Sequence, residues 1–535
     1  MPATSRAIDR IPPELRDLAR DRQKLGILLA AILASLAAGL DPHVFGPSTP
    51  TVQAALRTRP ELETVFLIAV IAQSAGFLIG GVVGDLGRRR RVLLVGLGLV
   101  VIGEAVALVA DRGPVFLVGR VLASGGVGLS VPVAMAWVAL TYDGVARATA
   151  IGFTYAAYGA GVGIAATLVN VLLQTVGTWP AFVLASGTAL IAFLIARRVL
   201  PHVDRPVDTP RLSVISNVLW AYALLAGTAS IIAVGGDFDL TVRLVILASG
   251  VVALAAFGLL RRRMARQDES AIQLRAVTVA LFAGVIVAFA QTAPLVQAPI
   301  FFQLAKGFSA ILAVLAIVPI IVALVLAGPI AGWLLARLEP RVLIAGGLAT
   351  LGLGDLAFAL ADTGTSYLYF VIPFLAIGAG FVIGTTIRTA IIFASVPRRL
   401  PATAAALNQT SITVGTQLGL VVVTSVVAQV AMSAFSGSVA TTLPPSDQAD
   451  AITRFQDLLN AIGTSTFGPL VNGASPEGLE AAGTAYAAGV SASMAIAGAA
   501  ALVGAVVCWF GIGRRERLVT IFEHSDERAH AAGLT

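Results

Sequence analysis

The sequence predicts an all-α membrane protein with fourteen transmembrane helices, arranged as two six-helix bundles plus two inserted linker spans. Composition is the first observation that predicts it. Hydrophobic residues make up 57% of the 535-residue chain and charged residues 12%, whereas a soluble globular domain carries about 25% charged residues. So little charge cannot cover so much apolar surface in water. This excludes a soluble enzyme, a disordered chain and a nucleic-acid-binding protein, despite the net charge of +7.

Long apolar runs are the second observation. A helix that crosses a bilayer needs about 20 mostly apolar residues, and a backbone buried in lipid must satisfy its own hydrogen bonds. Runs of this length are therefore helices. We place the spans at about 25–46, 62–84, 92–110, 114–140, 148–174, 180–200, 213–235, 241–260, 276–304, 309–336, 342–360, 367–394, 402–431 and 485–512.

An internal repeat at an offset of about 250 residues is the third observation. Residues 103–111 resemble residues 354–362, and Ala148-Thr149-Ala150 opens span 5 as Ala402-Thr403-Ala404 opens span 13. Two parallel six-span halves are typical of carriers that bind substrate between the halves. The predicted organisation is an N-terminal tail (1–24), a first bundle (25–200), a linker with spans 7 and 8 (201–275), a second bundle (276–512) with an extracytoplasmic loop (432–484), and a C-terminal tail (513–535).

The distribution of basic residues predicts the orientation. With a cytoplasmic N-terminus, about 28 basic residues face the cytoplasm and about five face outward, as the positive-inside rule requires. Both termini are then cytoplasmic, and the expected location is the bacterial inner membrane. The basic charge is explained by topology, so no nucleic-acid partner is predicted.

Three glycine-rich motifs carry a family resemblance. Residues 80–91 read GGVVGDLGRRRR, between spans 2 and 3. Residues 119–128 place Arg120 before a glycine-rich stretch of span 4, and residues 158–163 keep the glycines of a span 5 motif, with Ile164 where that motif has proline. The chain resembles the fourteen-span drug:proton antiporter branch of the major facilitator superfamily. The resemblance implies a conformational gate formed by Gly81, Asp85, Arg89, Arg90 and Arg91.

Asp41 and Arg120 are the main candidates for proton coupling. Asp41 lies 16 residues from the start of span 1, or roughly 24 Å along a helix, and Arg120 enters span 4 six residues from its outer end. Both therefore lie in the outer half of the membrane. Pro42 removes a backbone donor, so we expect a break in the helix at Asp41. The hypothesis is an Asp41–Arg120 couple that changes with Asp41 protonation; the alternatives are a static ion pair or an Asp41 that already lies at the outer interface.

Four further ionisable residues lie at membrane depth. His43 is a second proton-coupling candidate, because histidine is the side chain whose ordinary pKa lies nearest to neutral pH; a packing role is the alternative. Glu104 and Asp355 occupy equivalent repeat positions and approach the outer interface, where a relay role competes with structural pairing or interface anchoring. Arg388 either snorkels toward the cytoplasm or faces the cavity of the second half.

The second half otherwise offers neutral polar groups, which predict an uncharged wall of the substrate cavity. With aromatic residues of the first half, the predicted cavity set is Trp137, Tyr155, Tyr158, Gln291, Gln297, Arg388, Asn408 and Gln409. In the loop 432–484, Ile452, Phe455, Leu458 and Leu459 have the spacing of an amphipathic helix.

The predicted function is export of hydrophobic or amphiphilic compounds by proton-coupled alternating access. A lipid or glycolipid exporter of the same fold is the alternative within transport, and a non-transporting receptor or scaffold is a third class. An enzyme is disfavoured because the loops contain no metal cluster, nucleophile elbow or phosphate loop. We expect no cofactor or metal, a proton gradient as energy source, a small amphiphilic or lipid substrate, contact with membrane lipids, and a monomer.

Overall fold

The computed structural model of the chain describes residues 21–55, 62–165, 179–201, 274–335, 337–396, 400–442, 444–460 and 476–512, with isolated positions at 168, 172, 176–177, 470–471 and between 241 and 259. Within these residues every regular element is a helix, so the predicted all-α class is confirmed. Ten helical segments of the described chain are long and apolar enough to cross a membrane. The two tails and most of predicted spans 7 and 8 lie outside the described residues.

In the part of the first half that the structure describes there are six long helices. They are α1 (Arg22–Ala55), α2 (Leu62–Val83), α3 (Arg89–Val109), α4 (Gly113–Thr141), α5 (Gly144–Ile164) and α6 (Trp179–Val199). A π-helical turn, Gly84–Arg88, joins α2 to α3. Gly87 has φ +82° in this turn, a backbone conformation that glycine adopts without a steric penalty.

The described residues of the second half form eight helices. They are α7 (Leu274–Leu304), α8 (Ala310–Leu315), α9 (Val318–Leu335), α10 (Pro340–Ala359), α11 (Tyr367–Ser395), α12 (Pro401–Thr442), α13 (Pro445–Asn460) and α14 (Pro476–Gly511). Predicted span 10 is thus divided into a short helix and a long one.

The packing pattern of the first half recurs in the second. Helix α1 packs against α4, α5 and α6, and α3 packs against α4 and α6. In the same way, α7 packs against α11, α12 and α14, and α10 packs against α11 and α14. The halves meet along two seams, α5 on α9 and α2 on α12, which are equivalent under the same correspondence.

Close glycine contacts hold α3 against α4. A Cβ atom added at Gly103 would meet the backbone of Gly119 and Ala123, and one added at Gly126 would meet the backbone of Gly96. In the second half Gly347 meets Gly380 in the same manner between α10 and α11. Since lipid is as apolar as the side chains, such van der Waals contacts between small residues are a main source of helix association in membranes.

Two predicted boundaries are wrong. The expected break at Pro42 is absent, because α1 continues as one helix to Ala55; transmembrane helices tolerate proline where neighbouring groups satisfy the freed carbonyl. Predicted span 13 ends at 431, but α12 continues to Thr442. Its last turns pack on α13, and this contact stabilises helix in a segment too polar for lipid.

The contacts of Gly103 lead to a stability prediction. Substitution Gly103→Val forces α3 away from α4 and should destabilise the protein by about 1–3 kcal/mol, the usual range for overpacking. The measurement is the melting temperature of the purified protein in detergent. Gly98→Val is the matched control, because nothing lies within 4 Å of a Cβ at Gly98. Equal melting temperatures for the two variants would contradict the packing interpretation.

Candidate functional site

Arg120 lies between two carboxylates in the interior of the first bundle. Its guanidinium forms an ion pair with Asp41 of α1, and its Nη1 donates to Glu104 Oε1 of α3 at 3.0 Å. Ser124, one turn along α4, donates its hydroxyl to Asp41 Oδ2 at 3.4 Å. Arg120 is 3% exposed and each carboxylate 1%. The structure therefore brings together three of the four residues predicted for proton coupling; the side chain of His43 lies outside the described part.

The charges of this cluster do not balance when all three groups are ionised. Two carboxylates and one guanidinium leave one excess negative charge away from water, which is unfavourable in a low-dielectric interior. Glu104 Oε2 has no hydrogen-bond partner in the described chain. The arrangement has the composition and the free oxygen needed to bind one proton.

A second polar network connects the two bundles. Tyr155 of α5 places its hydroxyl 3.0 Å from Thr389 Oγ1 of α11, and Asn408 Nδ2 of α12 donates to the same hydroxyl at 2.9 Å. Thr389 also lies 3.0 Å from Asn408 Oδ1, to which it donates. Gln409 accepts from Asn408 Nδ2 at 3.3 Å. Tyr155, Asn408 and Gln409, all predicted cavity residues, thus meet where the halves touch.

The remaining predicted cavity residues are more dispersed. Gln297 of α7 accepts a 2.5 Å hydrogen bond from Tyr486 of α14, so it acts inside the second bundle. Gln291 Oε1 and Trp137 Nε1 are buried without a partner in the described chain. Tyr158 is half-buried beside the hydrophobic core. The structure does not gather these four around one point.

Arg388 and Asp355 are both 0% exposed. Arg388 therefore does not snorkel to the surface in this conformation, and Asp355 does not anchor the outer interface. Neither carboxylate oxygen of Asp355 has a hydrogen-bond partner in the described chain. Although Asp355 and Glu104 occupy equivalent repeat positions, Asp355 has no ion-pair partner among the described residues.

Asp85 connects the halves at one end of the fold, called the Asp85 end. Its Oδ1 accepts from the backbone N–H of Ala402 at 3.0 Å and its Oδ2 from that of Thr403 at 2.8 Å, in the first turn of α12. Arg89 lies 3.7 Å away. A carboxylate at a helix N-terminus satisfies free N–H groups and is attracted by the helix dipole. The predicted gate residue Asp85 is therefore an inter-bundle helix cap.

The other predicted gate residues differ in their contacts. A Cβ at Gly81 would meet Ala406 of α12, so this glycine permits the close seam. Arg90 donates to the carbonyls of Leu200, at 3.2 Å, and Arg197, at 2.9 Å, and so binds the end of α6 within its own bundle. Arg91 is exposed.

The opposite end carries the predicted amphipathic helix, which the structure shows as α13. Phe455 and Leu458 are buried, as its pattern predicts, and Phe455 stacks on Phe435 of α12 with ring centroids 4.1 Å apart. A cavity of about 520 Å³ lies between α12 and α13, lined by Ala428, Gln429, Met432, Ser433, Ser436, Gln456, Leu459 and Asn460.

Lys306 connects two loops at this end. It donates to the carbonyls of Thr363, at 2.7 Å, and Thr365. Partial burial lowers the pKa of Lys306. The Thr365 hydroxyl, the Gly364 N–H and the charge of Lys306 together lower the pKa of the Asp362 carboxyl. These contacts hold the two loops together at the end of the second bundle opposite Asp85.

Several residues of these networks were not predicted. The N–H groups of Ala402 and Thr403 carry no side-chain signal, although their triplet was noticed as part of the repeat. Thr389 is a small polar residue in an apolar run, and sequence offers no way to distinguish it from a helix-packing threonine. In the described chain no group of three or more His, Cys, Asp or Glu side chains could hold a metal ion.

A fold of two similar helix bundles that meet along two seams, with charged groups buried inside, defines a membrane carrier. The sequence profile of the Major Facilitator Superfamily matches residues 27–420. The chain belongs to this family of multi-pass membrane transporters, and the predicted family is confirmed.

Curated relatives and solved structures match the chain at low sequence identity. The methyl viologen resistance protein SmvA of Salmonella typhimurium is 24% identical over 92% of this chain and 98% of its own. The methylenomycin A resistance protein of Bacillus subtilis is 25% identical over 59% of this chain and 68% of its own. The structure of the proton:xylose symporter XylE of E. coli superposes with a TM-score of 0.55 at 16% identity, covering 92% of this chain and 96% of XylE.

The cap formed by Asp85 leads to a prediction about conformation. Loss of a helix cap costs about 0.5–2 kcal/mol, so Asp85→Ala should raise the fraction of molecules with the Asp85 end separated by about 2- to 30-fold. The measurement is the distance distribution between spin labels at Arg91→Cys and Thr278→Cys, in a Cys508→Ala background.

Glu339→Gln is the matched control, because Glu339 pairs with Arg341 at 2.5 Å within one bundle. We expect this variant to keep the wild-type distances. Unchanged distances in Asp85→Ala would contradict a capping role for Asp85.

Proposed function

We propose that this protein exports hydrophobic or amphiphilic compounds by proton-coupled alternating access. The buried Asp41–Arg120–Glu104 cluster is the observation that carries the proposal. It joins three helices of one bundle, and its net charge changes when one proton binds. A transporter driven by a proton gradient needs such a group, since ionisable residues inside the membrane are costly and usually functional.

The cluster supplies a physical link between protonation and helix packing. A proton on Asp41 neutralises the carboxylate and removes its charge–charge attraction to Arg120, so the guanidinium then forms its ion pair with Glu104 alone. Such an exchange changes the force between α1 and the α3–α4 pair. Export requires that it favour one arrangement of the bundles over the other, because a ligand shifts an equilibrium only by its differential affinity for the two states.

The Asp85 cap supports the alternating-access part of the proposal. It joins the bundles through two hydrogen bonds and can break without unfolding either one. In the proposed cycle, the Asp85 end opens to admit substrate from the cytoplasm, and the opposite end opens to release it.

The proposed topology has fourteen spans with both termini in the cytoplasm of a bacterial cell, in the inner membrane. Basic residues at the Asp85 end support it, since Arg88–Arg91, Arg197, Arg198, Arg337 and Arg341 all lie in helix ends or loops there. The positive-inside rule assigns that end to the cytoplasm. We further propose that the protein acts as a monomer and without a cofactor.

The names of two similar proteins support the proposed substrate class, hydrophobic or amphiphilic compounds. Two of the similar proteins are resistance proteins, and export is the simplest way for a transporter to confer resistance. Export of a lipid or glycolipid is the second candidate. The cavity between α12 and α13 favours it, because its lining of amides, hydroxyls and apolar groups suits a molecule with an uncharged polar head and an apolar tail.

Transport by Asp41 variants tests the coupling. We expect the wild-type protein in proteoliposomes to move methyl viologen when a proton gradient is imposed, and Asp41→Asn to reduce this flux to the level of empty liposomes. Asp111→Asn, which alters an exposed carboxylate after α3, is the control and should keep the flux. Undiminished proton-driven flux in Asp41→Asn would overturn the carrier role.

Reporter fusions test the topology. Green fluorescent protein fused after Thr535 should fluoresce, because it folds on the cytoplasmic side. Alkaline phosphatase should be active when inserted after Asp450 and inactive after Arg337, as the positive-inside rule predicts. The reverse activities would contradict the proposed orientation.

A further inference from the structure

Arg388 is a buried cation, and some of its hydrogen-bond donors are unpaired in the described chain. Its side chain is 0% exposed, and its Nη1 donates to Ser411 Oγ at 3.1 Å. Its Nε and Nη2 have no hydrogen-bond partner in the described chain. A guanidinium remains charged at all physiological pH values and carries five N–H donors. Arg120 meets two carboxylates, whereas Arg388 has no ion-pair partner among the described residues.

The residues around Arg388 preorganise its guanidinium group. A Cβ at Gly284 of α7 would collide with Arg388 Nη1 and with Ser411 Oγ, so the missing side chain makes room for the guanidinium. Ser411 donates its own proton to the Asn408 carbonyl at 2.7 Å, which leaves its oxygen free to accept from Arg388. Three helices therefore hold the guanidinium in place while two of its nitrogens remain unpaired.

The site lies where the bundles separate. Thr389, the residue after Arg388, and Asn408, one turn before Ser411, both bond to the Tyr155 hydroxyl of the other bundle. Parting of the halves would remove Tyr155 and free the Asn408 amide and the Thr389 hydroxyl beside Arg388. In this conformation Tyr155 covers the polar groups next to the cation.

We propose that Arg388, Ser411 and Asn408 form a binding subsite for the anionic head group of an amphiphilic substrate, such as a sulfate, phosphate or carboxylate. The inference rests on the proposed export function and adds anionic amphiphiles to its proposed substrates, beside the cation methyl viologen. An oxyanion would accept charge-assisted hydrogen bonds from Nε and Nη2 in the planar geometry that guanidinium groups favour. The Asn408 amide would supply a further donor after Tyr155 withdraws.

Binding of amphiphiles with one tail and different heads tests the subsite. The full chain is placed in nanodiscs of phosphatidylcholine, and equilibrium dialysis measures binding of radiolabelled decyl sulfate, decyl glucoside and decyltrimethylammonium above that of empty nanodiscs. We expect decyl sulfate to bind at least about tenfold more tightly than decyl glucoside, given the strength of charge-assisted hydrogen bonds. Arg388→Gln should abolish this preference, and Arg388→Lys should retain part of it.

Control variants keep the test decisive. Arg337→Gln removes an exposed arginine that stacks on Trp333 and should keep the wild-type preference. If Arg388→Gln does not fold, Asn408→Asp provides the second variant: its carboxylate beside Arg388 should abolish the preference for decyl sulfate. A preference that survives in a folded Arg388→Gln or in Asn408→Asp overturns the proposal. Displacement of decyl sulfate by equimolar sodium sulfate would show a free-anion site and overturn the amphiphile assignment.

The proposed subsite and the proposed export function can be rejected independently of each other. Proton-driven flux of methyl viologen without a preference for decyl sulfate would reject the anionic subsite and leave the exporter intact. An Arg388-dependent preference without proton-driven flux of either methyl viologen or decyl sulfate would support the subsite and reject the exporter.

Discussion

The need to neutralise Arg120 inside the membrane organises the first bundle. A guanidinium cannot lose its proton to escape the penalty of burial, and at Arg120 two carboxylates approach it from neighbouring helices. The close contact of α3 with α4 makes this approach geometrically feasible. Gly103 precedes Glu104 and Gly119 precedes Arg120, and these two glycines pack against each other's backbone. The glycine contact and the ion pair are therefore one structural unit, in which small residues bring the helices together and charged residues set their register.

The seams between the bundles are equivalent in position and different in chemistry. On one seam, Asp85 accepts from the N–H groups of Ala402 and Thr403. On the other, Gly332 lies against Thr149, whose place in the repeat corresponds to that of Thr403. One seam therefore combines small-residue packing with a charged cap, while the contact of Gly332 with Thr149 on the other is one of small-residue packing. A change in the local environment of Asp85 would affect only one of two otherwise similar contacts.

Sequence reasoning predicted the parts of the structure that follow from depth and composition. The helical rise placed Asp41 and Arg120 at compatible depths, and they pair. The ion pair of Arg120 with Glu104 also depends on the rotation of α3 about its own axis. The depth of a residue in the membrane does not specify that rotation. The cap on α12 could not be predicted because its donors are backbone groups more than 300 residues from Asp85 in sequence. The predicted helix break at Pro42 is wrong. Proline breaks helices that water surrounds, whereas a transmembrane helix within a bundle tolerates it. The predicted end of span 13 lies too early in the sequence. The last turns of α12 are stabilised by the stacking of Phe435 on Phe455 of α13, and sequence patterns within one segment do not show such a contact.

Helix α12 extends without interruption from Pro401 to Thr442, and this length has a mechanical consequence. Its first turn receives the Asp85 cap, and Ser436 near its other end lines the cavity under α13. At 1.5 Å per residue these points are about 50 Å apart, well beyond the hydrocarbon thickness of a bilayer, about 30 Å. A continuous helix is stiff along its axis, so a tilt that begins at the capped turn also displaces the wall of the cavity. This single helix therefore links a motion at the Asp85 end to a motion at the opposite face of the membrane.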